Sequence, residues 1–213
     1  SISAGNHSTN ENYVDPDWLT DSNHEVQTNR LKFNHRFKFQ EKTQNLFTLD
    51  FANMTIKSDD TRNHTMNTIG STYLLNYNFF KNLKISPSIR FDWDDHSKNS
   101  STTSNLALIL KTNSFFQKFT FNAGTSFRKP TFNDLFWLDS GFSKGNPNLK
   151  PEKSQNAEVV YLRSGSIYSL DLSTYLMRVE NSIMSTNANV GNLGDTICYG
   201  AELKTKFVFW LMI

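Results

Sequence analysis

The 213-residue chain has one cysteine, five prolines and nine glycines, and its longest unbroken apolar run is the short stretch Phe207 to Ile213. A membrane-spanning helix needs about 20 apolar residues, and the mean hydropathy is −0.53; a helical membrane protein is therefore excluded. A lone Cys198 removes a disulfide framework and a cysteine-based zinc site. Charge of one sign is also missing. The 22 basic residues are balanced by 20 acidic ones, without the basic stripe that nucleic acid requires, so no nucleic-acid partner is expected. The opening Ser1-Ile2-Ser3-Ala4-Gly5 lacks the charged start and apolar core of a signal peptide. It reads as the start of a mature protein, an excised domain or a gene fragment.

What the chain has in quantity is aromatic: 18 Phe, 7 Tyr and 4 Trp, beside abundant Asn, Ser and Thr. Phe and Thr suit a pleated surface, and Asn and Ser suit turns. Leu83 to Trp93 alternates without exception, with apolar Leu83, Ile85, Pro87, Ile89, Phe91 and Trp93 against polar Lys84, Ser86, Ser88, Arg90 and Asp92. That period of two marks a strand with one apolar and one polar face. Eight further segments repeat it, among them Leu31–Phe39, Phe47–Phe51, Ile69–Phe79 and Phe119–Phe127. The expected architecture is all-β and antiparallel, with about nine strands.

The connections alternate too. Long loops are expected near 5–25, 57–67, 94–103, 129–154 and 181–195, and short turns near 41–44, 80–82, 113–116 and 163–166. Consecutive antiparallel strands then place all long loops at one end, the asymmetry of a transmembrane β-barrel. A soluble β-sandwich shares the alternation. Against it stands the polar face, with Arg30, Lys32, Asp50, Lys84, Arg90, Asp171 and Glu202, too many charges for a sandwich core. The apolar face carries one ionisable residue, His35. Pro87 interrupts its strand, where a bulge would accommodate it.

The most distinctive text follows Phe127. It reads Ser126-Phe127-Arg128-Lys129-Pro130-Thr131, then Leu135-Phe136, then Gly145-Asn146-Pro147-Asn148-Leu149-Lys150-Pro151-Glu152-Lys153-Ser154, with Glu158 in the next strand. Pro130 stops a strand, and Gly145-Asn146-Pro147 signals a turn. A second string, Asn192, Gly194 and Tyr199-Gly200-Ala201-Glu202-Leu203, comes later. Together they closely resemble the barrel signature of TonB-dependent outer-membrane receptors, over about residues 117–207.

The resemblance implies a partial barrel domain over 1–213, about nine strands of a transmembrane barrel of 22, cut at both ends and without the N-terminal plug. It implies a bacterial outer-membrane location with outer-membrane lipid around the barrel. It also implies import of an iron-siderophore, cobalamin or haem, and a TonB complex engaging through the absent plug. The short 137–145 segment looks like the cobalamin and catecholate-siderophore branches. An open sheet leaves unpaired edges that lipid cannot satisfy, so this chain alone is expected neither to insert nor to transport. A passive porin-type barrel and a soluble carbohydrate-binding sandwich remain alternatives.

Arg128, Glu152, Glu158 and Glu202 are expected as paired structural charges of the lumen. Ligand contacts are expected from the long loops, at Tyr13, Trp18 and Trp137. Cobalamin-type members use calcium in outer loops, and Asp15, Asp17 and Asp21 are the candidates here; no other cofactor is expected. His7, His24, His64 and His96 fall at the long-loop end without paired spacing. No nucleophile motif gathers Ser, His and Asp, so no enzyme is expected. Beyond Lys206 the period of two ends, and the run to Ile213 reads as a truncated or shifted coding frame.

Overall fold

The computed structural model describes residues 1–15, 20–95, 100–112, 117–139, 144–185 and 189–207. Alternation builds what it predicts, an antiparallel sheet. The strands are β1 (Ile2–Asp15), β2 (Thr20–Phe37), β3 (Thr43–Ser58), β4 (His64–Asn78), β5 (Leu83–Asp94), β6 (Ser100–Thr112), β7 (Gln117–Arg128), β8 (Glu152–Ser164), β9 (Tyr168–Glu180), β10 (Ile183–Ser185), β11 (Val190–Asn192) and β12 (Thr196–Phe207). One short helix, α1 (Phe132–Phe136), follows β7. Ten strands form a single meander in the order β1 to β9 and then β12, while β10 and β11 pair separately.

The sheet has one strand more than the nine counted from alternation, and the reason lies at the long-loop end. The expected loop 5–25 falls within β1 and the start of β2, which pair rung for rung from Ile2–Phe33 to Asp15–Thr20. Likewise β3 runs to Ser58 and β4 starts at His64, so the 57–67 connection shortens to 59–63. Here both faces are polar, so the hydrophobic period vanishes while the backbone ladder continues. The 18-residue β2 is far longer than the roughly 10 residues a barrel strand needs to cross a bilayer.

The apolar residues are not a core. Leu31, Phe51, Ile69, Ile89, Phe91 and Leu176 are all exposed, while only five hydrophobic residues are buried among those described. A sandwich would cover this face with a second sheet; here it is bare. The apolar band also slants across the rungs. Its upper margin on β2 to β5 is the rung Leu31–Phe51–Ile69–Trp93. From β6 to β12 it is Leu106–Ala123–Ala157–Leu176–Tyr199, the rung of Pro87, six residues lower. At about 3.3 Å rise and 4.8 Å spacing, six residues over eight strand steps correspond to strands inclined by about 30° to the band, near the tilt of membrane barrels. Aromatic rings gather at the short-turn margin, where Phe79 meets Phe80 at 4.5 Å and Tyr77 at 5.8 Å.

No bulge forms at Pro87. The register is the same on both sides, Leu74–Ser88 and Tyr77–Ile85, and only the two intervening rungs are absent. Both need an N–H at position 87, which proline lacks. In their place Ser86 Oγ donates to Asn76 Oδ1 at 2.8 Å, a side-chain bond that bridges the gap. At the other end of the chain, Phe207 closes β12 opposite Tyr168; the rest of the terminal apolar run lies outside the described residues.

Candidate functional site

The signature strings fold into one two-loop assembly above β7 to β12. Pro130 ends β7, and α1 starts on a reciprocal cap. Asp134 N–H donates to Thr131 Oγ1 at 3.1 Å, and Thr131 N–H donates to Asp134 Oδ2 at 2.8 Å. The spacing Thr131-x-x-Asp134 is the sequence signal for this helix, which alternation alone overlooked. Gly145 sits under the end of α1, where an added Cβ would lie 2.6–2.8 Å from the backbone of Leu135, Phe136 and Trp137. Only glycine fits that approach.

Asn146 turns the chain. Its Oδ1 accepts from Asn148 N–H at 2.9 Å, and its Nδ2 donates to the Val190 carbonyl of the next loop at 3.2 Å. Asn192 reaches back in turn: Lys150 N–H donates to its Oδ1 at 2.8 Å, and its Nδ2 donates to the carbonyls of Lys150 at 2.9 Å and Asn181 at 2.8 Å. Leu135, Leu149 and Val190 form a small buried core between the loops, with Phe136 and Ile183 against it. The two distant strings therefore bind each other.

Arg128 and Glu152 join β7 to β8 as a forked pair, Nε to Oε2 at 2.8 Å and Nη2 to Oε1 at 2.9 Å. Ile183 N–H adds a bond to Oε1 at 2.6 Å. This rung stands three residues beyond Thr125–Gln155, clear of the apolar band. The Arg128 hydrogen bonds hold the Glu152 carboxyl below its ordinary range against the opposing effect of burial, with the Ile183 N–H assisting. Ser126 and Ser154 share the hydroxyl bond two rungs lower.

The four signature charges do not form one cluster. Glu158 lies six residues down β8 from Glu152 and accepts from Asn122 Nδ2 at 3.0 Å. Glu202, on β12, pairs with Lys204 at 3.2 Å. Gly200 serves a different purpose, because its missing side chain leaves room for the Tyr175 ring, whose Oη lies 2.7 Å from where a Cβ would be. A separate charge cluster lies lower on the polar face. Arg90 donates to Asp50 at 3.0 and 3.3 Å, to Asp92 at 2.7 Å and to Thr72 at 3.1 Å.

The long β7–β8 loop leans back over β3 to β5. Phe136 stacks on His64 at 3.6 Å, Leu138 N–H donates to the Asp60 carbonyl at 2.8 Å, and Lys129 meets Asp94 at 2.9 Å. Between loop and wall remains a cavity of about 300 Å³, lined by Met66, Asp94, Lys129, Pro130, Pro147 and Pro151 among others. His24, on β2, reaches across to the β3–β4 hairpin, bonded to Ser58 at 2.8 Å and 3.4 Å from Asp60. His7 is on β1; His96 lies outside the described residues.

The expected ligand contacts are on separate elements. Tyr13 is exposed on β1 opposite Ser22, and Trp137 caps α1. Trp18 and Asp17 lie outside the described residues. Asp15 and Asp21 occupy neighbouring rungs of the β1–β2 hairpin, paired with Thr20 and Val14. Among the described residues, no three His, Cys, Asp or Glu side chains gather as a metal site.

Known proteins share this fold. The family described as "TonB dependent receptor-like, beta-barrel" matches residues 2–212. The vitamin B12 transporter BtuB of Vibrio vulnificus (strain YJ016) is 38% identical over 126 residues, covering 56% of this chain and 20% of the transporter. BtuB of Photobacterium profundum is 33% identical over 141 residues, covering 66% and 22%. The chain thus spans about a fifth of these relatives. Among solved structures, the siderophore receptor PirA of Pseudomonas aeruginosa superposes with a TM-score of 0.76 at 14% identity, over 95% of this chain and 44% of the receptor. The copper transporter OprC gives 0.74 at 11% identity, over 99% and 41%. The match to the family over nearly the whole chain agrees with the bare apolar band, the slanted strands and the interlocked signature loops: the chain belongs to the TonB-dependent receptors, as part of their β-barrel domain.

Proposed function

We propose that this chain is a wall segment of an outer-membrane receptor that binds cobalamin and imports it actively with energy delivered by TonB. The observation that carries the choice of solute is the 38% and 33% identity with two vitamin B12 transporters. The siderophore receptor reaches only 14%. In this reading the apolar face meets membrane lipid, the charged face lines the lumen, and the interlocked loops stand at the outer mouth. Tyr13, Trp18 and Trp137 are the aromatics offered to the solute. Asp15, Asp17 and Asp21 are the carboxylates offered to calcium.

The test is uptake of labelled cyanocobalamin and of a ferric siderophore by cells carrying the full-length receptor, with and without TonB. Cobalamin uptake that disappears without TonB is the expected result. Uptake of the siderophore alone would overturn the choice of solute, and uptake independent of TonB would overturn the active mechanism.

A further inference from the structure

Four cations stand one above another on the charged face of β2. Side chains alternate along a strand, so Arg30, Lys32 and Arg36 share a face with Asp50, the rung partner of Lys32. Lys38, one residue past β2, lines the same open cavity of about 540 Å³ as Arg36, beside Leu46 and Leu74 of the next two strands. From Arg30 to Lys38 the row spans about 26 Å along the strand, from the upper margin of the apolar band to the short-turn end. None of the four forms an ion pair among the described residues, and Asp50 is held by Arg90 instead. The β1 side is open. Gly5 and Ser3 pair with Arg30 and Lys32, and a Cβ at Gly5 would meet nothing within 4 Å.

We infer that this row is a ladder for a phosphodiester, guiding the anionic group of the solute down the lumen wall toward the short-turn end. The inference rests on the cobalamin reading above, because cobalamin carries one phosphodiester, in its nucleotide arm. An anion crossing a lumen needs contacts strong enough to draw it in and weak enough to release it. Exposed cations meet both needs, since water screens each contact. Most steps are about 7 Å, and the wider one, Lys32 to Arg36, is about 13 Å. Long, flexible stems close such gaps, so the next cation engages before the last lets go. Asn34 fills the wider step without charge, its Oδ1 accepting from Thr48 Oγ1 at 2.9 Å. The same rungs on β3 carry Ala52, Asp50, Thr48 and Leu46, so the uncompensated charge forms a line along the direction of travel. At its foot, Leu46 and Leu74 beside Arg36 and Lys38 suit a bulky ring system that carries one negative group.

The experiment measures TonB-dependent uptake of labelled cyanocobalamin and of labelled dicyanocobinamide, the corrin without the nucleotide arm and its phosphodiester, by cells carrying the full-length receptor. In K32Q/R36Q/K38Q, cyanocobalamin uptake is expected to fall several-fold while cobinamide uptake keeps its wild-type rate, which also reports a folded, inserted variant. The charge-preserving K32R/R36K/K38R is expected to restore cyanocobalamin uptake. If the triple variant does not reach the membrane, R36Q/K38Q carries the test with a smaller loss, still selective for cyanocobalamin. Equal losses for both solutes overturn the inference, because they mark a structural role such as contact with a docked domain. Unchanged uptake of both overturns it as well. A wild-type receptor that imports neither corrin overturns the cobalamin reading itself.

Discussion

Arg90 on β5 crosses over the whole width of β4 to reach Asp50 on β3, with Nη1 and Nη2 at 3.0 and 3.3 Å from the carboxylate. It passes through the space left by Gly70, which pairs with Asp50 on one side and Asp92 on the other. A Cβ at position 70 would overlap Arg90 Nη2 and lie 2.8 and 2.9 Å from the Asp50 oxygens. Glycine here costs strand propensity and gains a bond that skips a strand.

Gly70→Ala is therefore expected to destabilise the full-length receptor by about 1–3 kcal/mol, through overpacking and loss of charged hydrogen bonds. The unfolding midpoint in detergent checks it. Pairing it with Asp50→Asn tests the cause: the two changes are expected to cost less together than their sum.

Asn192 is the residue through which one signature loop reads the backbone of the other. Asn192→Ala leaves Lys150 N–H and two carbonyls without their partner. A loss of about 1–3 kcal/mol is expected, the combined net worth of three hydrogen bonds. Limited proteolysis should then open both the 144–152 and 189–195 stretches. Cleavage confined to one loop would contradict the interlock.

The Arg128–Glu152 pair gives a pH dependence with a definite sign. Glu152 at the start of β8 titrates below its ordinary 4.5, chiefly through the Arg128 hydrogen bonds. A depressed carboxylate contributes stability that is fully present above the unfolded pKa and lost as pH falls through the folded one. Loop protection against an acid-active protease should thus hold at neutral pH and decline below about pH 4.5. In Glu152→Gln the contribution of this pair to that decline should vanish.

Gly145 allows no side chain, because the three nearest atoms to an added Cβ are all backbone, 2.6–2.8 Å away. Gly145→Ala is expected to displace α1 from His64 and to cost about 1–3 kcal/mol. Nuclear magnetic resonance of His64 ring protons checks it, since the Phe136 ring 3.6 Å away shifts them strongly upfield while stacked.

Much of this molecule is legible in its residues alone. Wherever a strand passes from apolar surroundings to a charged lumen, side chains must alternate, so β5 is readable from Leu83 to Trp93 without any structure. The signature residues were equally visible, because prolines, glycines and asparagines at fixed spacing mark turns. Where both faces of a strand meet polar surroundings, no such constraint acts on composition, and β1 with the upper half of β2 reads as loop. Register is invisible for a related reason: proline aside, every residue offers the backbone ladder the same N–H and C=O. Only the folded sheet therefore brings Asn6, Asn29, Asn53 and Asn67 into one row, or Gly70 beneath Arg90. The pairing of Asn192 with Lys150 is hidden by distance along the chain, since 42 residues separate them and β8, β9 and β10 intervene.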